Sequence, residues 1–137
     1  MVKLLKKEVW VILYTLDINY FKKQSIIYLI ISILCLIIGI IYELLSHNVY
    51  SIYMQFALVI PLIFGFILSL IIYIVKPSKL PNHISINLYN AAIATITIFS
   101  FIKGVLDIYG TTNSLINVYI IVSIILILLS IITNLKK

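Results

Sequence analysis

Residues 26–42 decide the fold, and they read IIYLIISILCLIIGIIY. The stretch has no charged side chain, and with its flanking residues it is long enough to cross a hydrocarbon core of about 30 Å at about 1.5 Å per helical residue. A soluble domain of 137 residues could not bury so continuous an apolar run, because small domains keep a large share of their surface in water. The stretch predicts a transmembrane helix at about residues 25–45.

Three further apolar runs follow, at about residues 51–75, 85–108 and 115–132. The chain is 64% hydrophobic and 10% charged, whereas soluble domains are about 45–50% apolar and about 25% charged. We therefore predict an all-α membrane protein whose residues 25–137 form one bundle of four transmembrane helices.

Residues 1–24 differ from these runs because charged side chains occur among the apolar ones. One helical face collects apolar residues at spacings of three or four: Leu5, Val9, Ile12, Leu16 and Tyr20. This pattern predicts an amphipathic interfacial helix that lies on the membrane surface. A soluble helix and a short strand stay open as alternatives.

The net charge of +6 is carried by lysines without any arginine. All of these lysines except Lys103 flank the apolar runs: they lie in the N-terminal segment, in the 76–79 loop and at Lys136 and Lys137. The loops around His47 and Thr112 have none. By the positive-inside rule both termini are cytoplasmic. Because the lysines flank apolar runs, we expect them to contact the head groups of the lipid bilayer and expect no nucleic-acid partner.

Pro61 and Gly65 predict a kink near the middle of the second span. The prolyl ring removes an N–H group and leaves the carbonyl of Ala57 without its usual helical partner.

Four polar residues fall near the outer end of the spans, and we group them as the outer cluster: Glu43, His47, Lys103 and Asp107. Lys103 and Asp107 are four residues apart and share a helical face. A lysine about one turn inside a span is costly unless it pairs or snorkels. Two interpretations stay open, a salt bridge that fixes helix packing and a binding vestibule for an anion or proton.

The third span carries a stripe of small and amide side chains: Asn87, Asn90, Ala94, Thr97 and Gly104. Such residues let membrane helices approach closely and hydrogen-bond to each other. We interpret the stripe as a helix-packing seam, with a substrate path as the alternative.

A weak repeat relates the two hairpins, because Gly39 and Glu43 precede one outer turn and Gly104 and Asp107 precede the other. Two hairpins related by an axis along the membrane normal would give this pattern, and so would chance.

The sequence predicts no cofactor and no metal site. Cys35 is the one thiol, and His47 and His83 fall at opposite membrane surfaces in the predicted topology. No nucleophile lies beside a general base, and there is no glycine-rich phosphate loop. We therefore expect no enzymatic activity.

Two stretches carry a resemblance to known proteins, YELLSHNVYS at residues 42–51 and GVLDIYGTTN at residues 104–113. Together they resemble the uncharacterised small four-span integral membrane proteins of low-GC Gram-positive bacteria. The resemblance implies a bacterial cell membrane and no particular activity or site residue.

Three functions remain. The first is a non-catalytic membrane subunit or accessory protein that forms a homo-oligomer or joins a larger membrane-protein partner through the third span. The second is a small oligomeric channel or transporter that uses the outer cluster. The third, a membrane enzyme or redox component, has no residue set to support it.

Overall fold

The computed structural model describes residues 1–136, and its regular structure over that range is entirely helical. Lys137, one of the two C-terminal lysines, lies outside the described residues. Four long helices follow in the chain: α1 (Val2–Leu45), α2 (Ile52–Val75), α3 (His83–Tyr109) and α4 (Ser114–Leu135). Each is long and apolar enough to cross a membrane, which confirms the predicted all-α bundle.

The four helices alternate in direction, so that α1 and α3 run parallel. Asp17 of α1 lies 3.3 Å from His83 at the start of α3, and the Asn82 N–H donates to Asn134 Oδ1 near the end of α4 at 3.3 Å. We call this the basic end, because the Lys76–Lys79 loop belongs to it. The opposite end, formed by the turns at residues 46–51 and 110–113, is called the turn end.

The helices at the turn end stop and start where their sequence signals lie. Gly110 ends α3 in the left-handed conformation, with φ of 71°, as the Tyr109-Gly110 pair predicts. Asn113 caps the next helix by accepting a hydrogen bond from the N–H of Leu115 at 2.9 Å, and Ser51 caps α2 in the same way.

The predicted break between a surface helix at residues 1–24 and a first span at residue 25 is absent. α1 is one continuous helix of 44 residues. No proline or glycine occurs in it before Gly39, and Ser25 does not cap a new helix but donates to the carbonyl of Lys22 at 2.8 Å. The polar segment around residue 24 is therefore tolerated within the helix, because it carries no helix-breaking residue.

α1 is longer than any membrane requires. At about 1.5 Å per residue it measures about 66 Å, roughly twice the thickness of the hydrocarbon core. The bundle ends near Asp17, and beyond it the hydroxyl of Tyr14 donates a 2.8 Å hydrogen bond to the carbonyl of Pro77. We call residues 2–16 the stalk; residues 2–13 are exposed throughout.

Small hydroxyl residues form much of the core. Ser32, Ser100 and Ser123 are among its most completely buried side chains, and the Ser100 hydroxyl donates to the carbonyl of Tyr53 across the α2–α3 contact at 2.7 Å. Ser85 and Ser130 exchange hydrogen bonds in the same manner between α3 and α4. Close helix packing around small residues that pair their own hydroxyls is typical of membrane bundles.

α2 lies between α1 and α3 at the turn end. Gly39 of α1 and Gly104 of α3, the two glycines of the weak repeat, both lie against Met54 of α2. Towards the basic end α2 stays with α1 and leaves α3, and no Cα atom of α1 lies within 8 Å of one in α3 over residues 1–136. The bundle is therefore closed at the turn end and splayed at the basic end.

A π-helical segment lies in α2 at the position of the predicted kink. Residues Pro61–Ile67 form a π-helical segment in which Pro61 and Gly65 are both buried. A side chain at Gly65 would overlap the ring of Tyr28 on α1. Pro61 disrupts the regular α-helical hydrogen bonds, and Gly65 gives α2 room to lie directly on α1.

Candidate functional site

Two members of the outer cluster form an ion pair at the turn end of α3. Lys103 Nζ lies 3.7 Å from Asp107 Oδ1; Lys103 is half-buried and Asp107 is exposed. The Ser51 hydroxyl donates to Asp107 Oδ2 at 3.2 Å, and Lys103 Nζ also lies 5.6 Å from the centre of the Tyr53 ring. The charge of Lys103 is therefore paired with Asp107 and stabilised by the face of an aromatic ring. Ser51, at the start of α2, hydrogen-bonds to Asp107.

The other two members of the outer cluster lie elsewhere. Glu43 faces a cavity of about 230 Å³ between α1 and α2, lined also by Gly39, Met54 and Gln55. It makes no ion pair among residues 1–136, and its buried Oε1 has no hydrogen-bond partner there. His47 is exposed in the turn with φ of 56°. Because α2 separates α1 from α3 here, the four residues do not form one site.

The predicted seam on α3 divides among three surroundings. Thr97 and Gly104 are buried within the bundle, whereas Asn87 and Ala94 are exposed. Asn90 is half-buried and reaches α1. The stripe therefore supplies internal packing at its turn end and free surface at its basic end.

Three polar side chains join α1 to α3 where their backbones are apart. Asn90 Oδ1 accepts hydrogen bonds from Gln24 Nε2 at 2.7 Å and from the Tyr28 hydroxyl at 2.8 Å. We call these three residues the amide bridge. Asp17 and His83 lie at the same separation in sequence as Gln24 and Asn90, two helical turns nearer the basic end, so α1 and α3 run in register beside each other.

The amide bridge separates two cavities in the splayed half of the bundle. On one side a groove of about 610 Å³ lies between α1 and α3, with Pro61 also in its wall. On the other side an inner cavity of about 230 Å³ is lined by all four helices, with Phe21, Ser69 and Tyr89 among its residues. Gln24 lines both spaces.

The hydrogen bonding of the amide bridge is incomplete. Gln24 is only 8% exposed, yet its buried Oε1 has no hydrogen-bond partner among residues 1–136. Asn90 accepts twice through one oxygen. An acceptor buried without a donor costs about 1–3 kcal/mol, so a hydroxyl or N–H group that reached Gln24 Oε1 would be stabilising.

Two of the three bridge residues, Gln24 and Tyr28, are not among the residues predicted from the sequence. Gln24 follows Lys22 and Lys23 and resembles the polar flank of a span, and Tyr28 belongs to an aromatic-rich membrane surface. The signal available was the polar stripe on α3, which needs a partner within the membrane. Its partner on α1 could be identified only from the register of two helices that are not adjacent in sequence.

The described residues 1–136 contain no group of three or more His, Cys, Asp or Glu side chains that could hold a metal ion. Comparison with known proteins gave no relative: no protein-family model, no curated protein and no solved structure matches this chain.

Proposed function

We propose that this chain is a non-catalytic membrane subunit or accessory protein of a bacterial cell membrane. Both termini lie in the cytoplasm, and the chain assembles through the stalk with a second copy or with a larger membrane-protein partner. The observation that carries the proposal is the exposed apolar stripe on the stalk, which the bundle does not cover.

The stripe has the spacing by which helices pair. Its residues are separated by three, four, three and four positions and are 54–79% exposed: Val2, Leu5, Val9, Ile12 and Leu16. Alternating spacings of three and four place apolar side chains along one seam of a helix, as in coiled coils. Covering the stripe with a second helix would remove this apolar surface from water, at about 25 cal/mol per Å².

The continuity of α1 argues against the bilayer surface as the cover. A helix that crosses the membrane can lie flat on its surface only after a sharp bend, and such bends occur at proline, glycine pairs or π-bulges. α1 is α-helical throughout Val2–Leu45 and has none of these between the stalk and Ser25. We infer that the stalk leaves the bilayer and presents its stripe to protein.

A cleft at the base of the stalk adds to this surface. It measures about 630 Å³ and lies between the stalk and the loop before α3, with Trp10, Tyr14 and Lys79 among its lining residues. The positive-inside rule places this end in the cytoplasm, so the partner would have a cytoplasmic helix.

The test compares two neighbouring substitutions on different faces of the stalk. Ile12→Lys places a charge in the stripe, whereas Val11→Lys places it on another face that is equally exposed. Protein extracted from its native membrane in mild detergent is sized by native mass spectrometry. We expect the wild type and Val11→Lys in a complex larger than the 15.7 kDa chain, and Ile12→Lys as the single chain.

Wild-type protein that is recovered as a single chain contradicts the proposal. A complex that survives Ile12→Lys as well as Val11→Lys contradicts the role of the stripe.

The ion pair at the turn end favours a second candidate, a small oligomeric channel or transporter. Lys103 is half-buried, Asp107 is exposed, and both lie near the outer surface in the proposed orientation, so they could bind a small ion. Ion flux into proteoliposomes would be lost in Lys103→Ala and Asp107→Ala and retained in His47→Ala, whose side chain lies outside this pair. Flux that persists in all three variants would remove this candidate.

A further inference from the structure

We propose that the groove between α1 and α3 is a binding site for an anionic phospholipid. One acyl chain lies in the groove, and the phosphate lies beside Lys23 at its basic end. The site is independent of the stalk and of the assembly proposed above.

The groove has the length of one lipid leaflet. On α1 it extends from Tyr20 to Ile31, about 16 Å at about 1.5 Å per residue. Half of a hydrocarbon core of about 30 Å is about 15 Å. It begins at the level of the basic end, because Tyr20 packs edge-on against His83 with ring centroids 6.2 Å apart. An acyl chain that starts at this interface would therefore end with the groove, near the middle of the membrane.

The chemistry of the lining changes along this length as the chemistry of a lipid does. Tyr20, Lys23, Gln24 and Asn90 lie at the basic end of the groove, whereas its deeper walls are mainly aliphatic. The deeper lining residues are Ile27, Ile31, Ile93, Ala94 and Ile98, with Thr97 and Pro61. The Thr97 hydroxyl is satisfied by the carbonyl of Ile93 at 2.8 Å, so this part of the groove makes no demand for a polar ligand.

Charge favours an anionic head group. Lys23 is the one charged residue among those that line the groove, and it makes no ion pair within residues 1–136. Lys22 lies beside it in sequence and is also exposed. The nearest carboxylate along α1, Asp17, lies against His83. A phosphate at the mouth of the groove would supply the counter-charge that Lys23 lacks.

The amide bridge is a separate observation that points to a ligand. Gln24 is more than nine-tenths buried, and its Oε1 lacks a donor. The glycerol head group of phosphatidylglycerol carries hydroxyl groups beside its phosphate, and a hydroxyl is the kind of donor that Gln24 Oε1 lacks. Phosphatidylglycerol therefore matches the site in charge, in hydrogen bonding and in length.

The experiment measures lipid retention by the full chain in mild detergent with native mass spectrometry. Phosphatidylglycerol and phosphatidylcholine of matched acyl chains are titrated separately. We expect tighter retention of phosphatidylglycerol, with one lipid bound per chain. Lys23→Gln should weaken that retention by about fivefold, the effect of one lysine near an anionic head group, and the adjacent Lys22→Gln should change it by less than twofold.

A second pair of variants tests the acyl chain. Ala94→Trp fills the groove, whereas Ala91→Trp adds the same side chain to an exposed position of α3 that does not line it. Ala94→Trp should abolish retention of the single lipid, and Ala91→Trp should preserve it. Equal losses in Lys22→Gln and Lys23→Gln would indicate diffuse attraction around the protein and overturn the proposal, as would full retention in Ala94→Trp.

Discussion

At the scale of single residues, the amide bridge connects α1 to α3 by side-chain hydrogen bonds. Asn90 is its shared acceptor, so Asn90→Leu would leave the donors of Gln24 and Tyr28 unpaired. We predict that this change lowers the free energy of unfolding by about 1–2 kcal/mol. Unfolding by SDS in mixed micelles, followed by circular dichroism, measures it.

The matched control is Asn87→Leu, which removes an exposed amide from the same helix and should be nearly neutral. Gln24→Leu combined with Asn90→Leu should cost less than the sum of the two single changes, because the partners are removed together. Equal effects of Asn87→Leu and Asn90→Leu would show that the bridge does not stabilise the bundle.

Two glycines on facing helices should respond differently to a methyl group. At Gly65 a Cβ atom would overlap the ring of Tyr28, whereas at Gly39 its nearest neighbour would be the Met54 carbonyl oxygen at 3.8 Å, an ordinary contact. We predict that Gly65→Ala destabilises the protein by about 1–3 kcal/mol. Gly39→Ala should be neutral or stabilising by up to about 1 kcal/mol through helix propensity.

The same SDS titration distinguishes these two variants. If Gly39→Ala were the more destabilising of the two, the contact of the Tyr28 ring on α1 with Gly65 in the π-helical segment of α2 would be contradicted.

At the scale of elements, the stalk is an extension of α1 rather than a part of the bundle core. Residues 2–9 are exposed and line none of the cavities described above. We predict that their deletion changes the free energy of unfolding by less than about 0.5 kcal/mol while it abolishes the proposed assembly. Unfolding in SDS and native mass spectrometry of the same sample separate these effects. A large loss of stability in the single chain would mean that residues 2–9 contact the bundle.

The positions of the helices were predictable from the sequence, but their continuity and their neighbours were not. The four spans were predictable because each is a long apolar run between polar turns, as at Gly110 and Lys76–Lys79. The continuity of α1 was not, because Gln24 and Ser25 favour a boundary in sequence but fit a helix without strain. The outer cluster was predicted as one group for a similar reason. The depth of Glu43 and Lys103 along their helices can be inferred from the sequence, but the presence of α2 between them cannot.

At the scale of the whole molecule, the bundle is asymmetric along the membrane normal. Met54 and the two glycines close the turn end, and the π-helical segment of α2 opens the basic end into the groove and the inner cavity. The stalk extends this open end by about 22 Å beyond the bundle, at about 1.5 Å per residue for residues 2–16. Both proposed interactions, with lipid and with a partner, therefore use the same end of the molecule.

The most direct test of this arrangement is the depth of the stalk in a bilayer. Nitroxide labels are placed one at a time at exposed residues between 3 and 23 in a Cys35→Ser background, and their exposure to oxygen and to a water-soluble nickel complex is measured in liposomes. We predict that immersion decreases steadily from residue 23 towards residue 3, by about 1.5 Å per residue until the label is in water. A mean depth that stays constant along the segment, with an oscillation of about 3.6 residues around it, would place the segment flat on the membrane. That result would contradict the account.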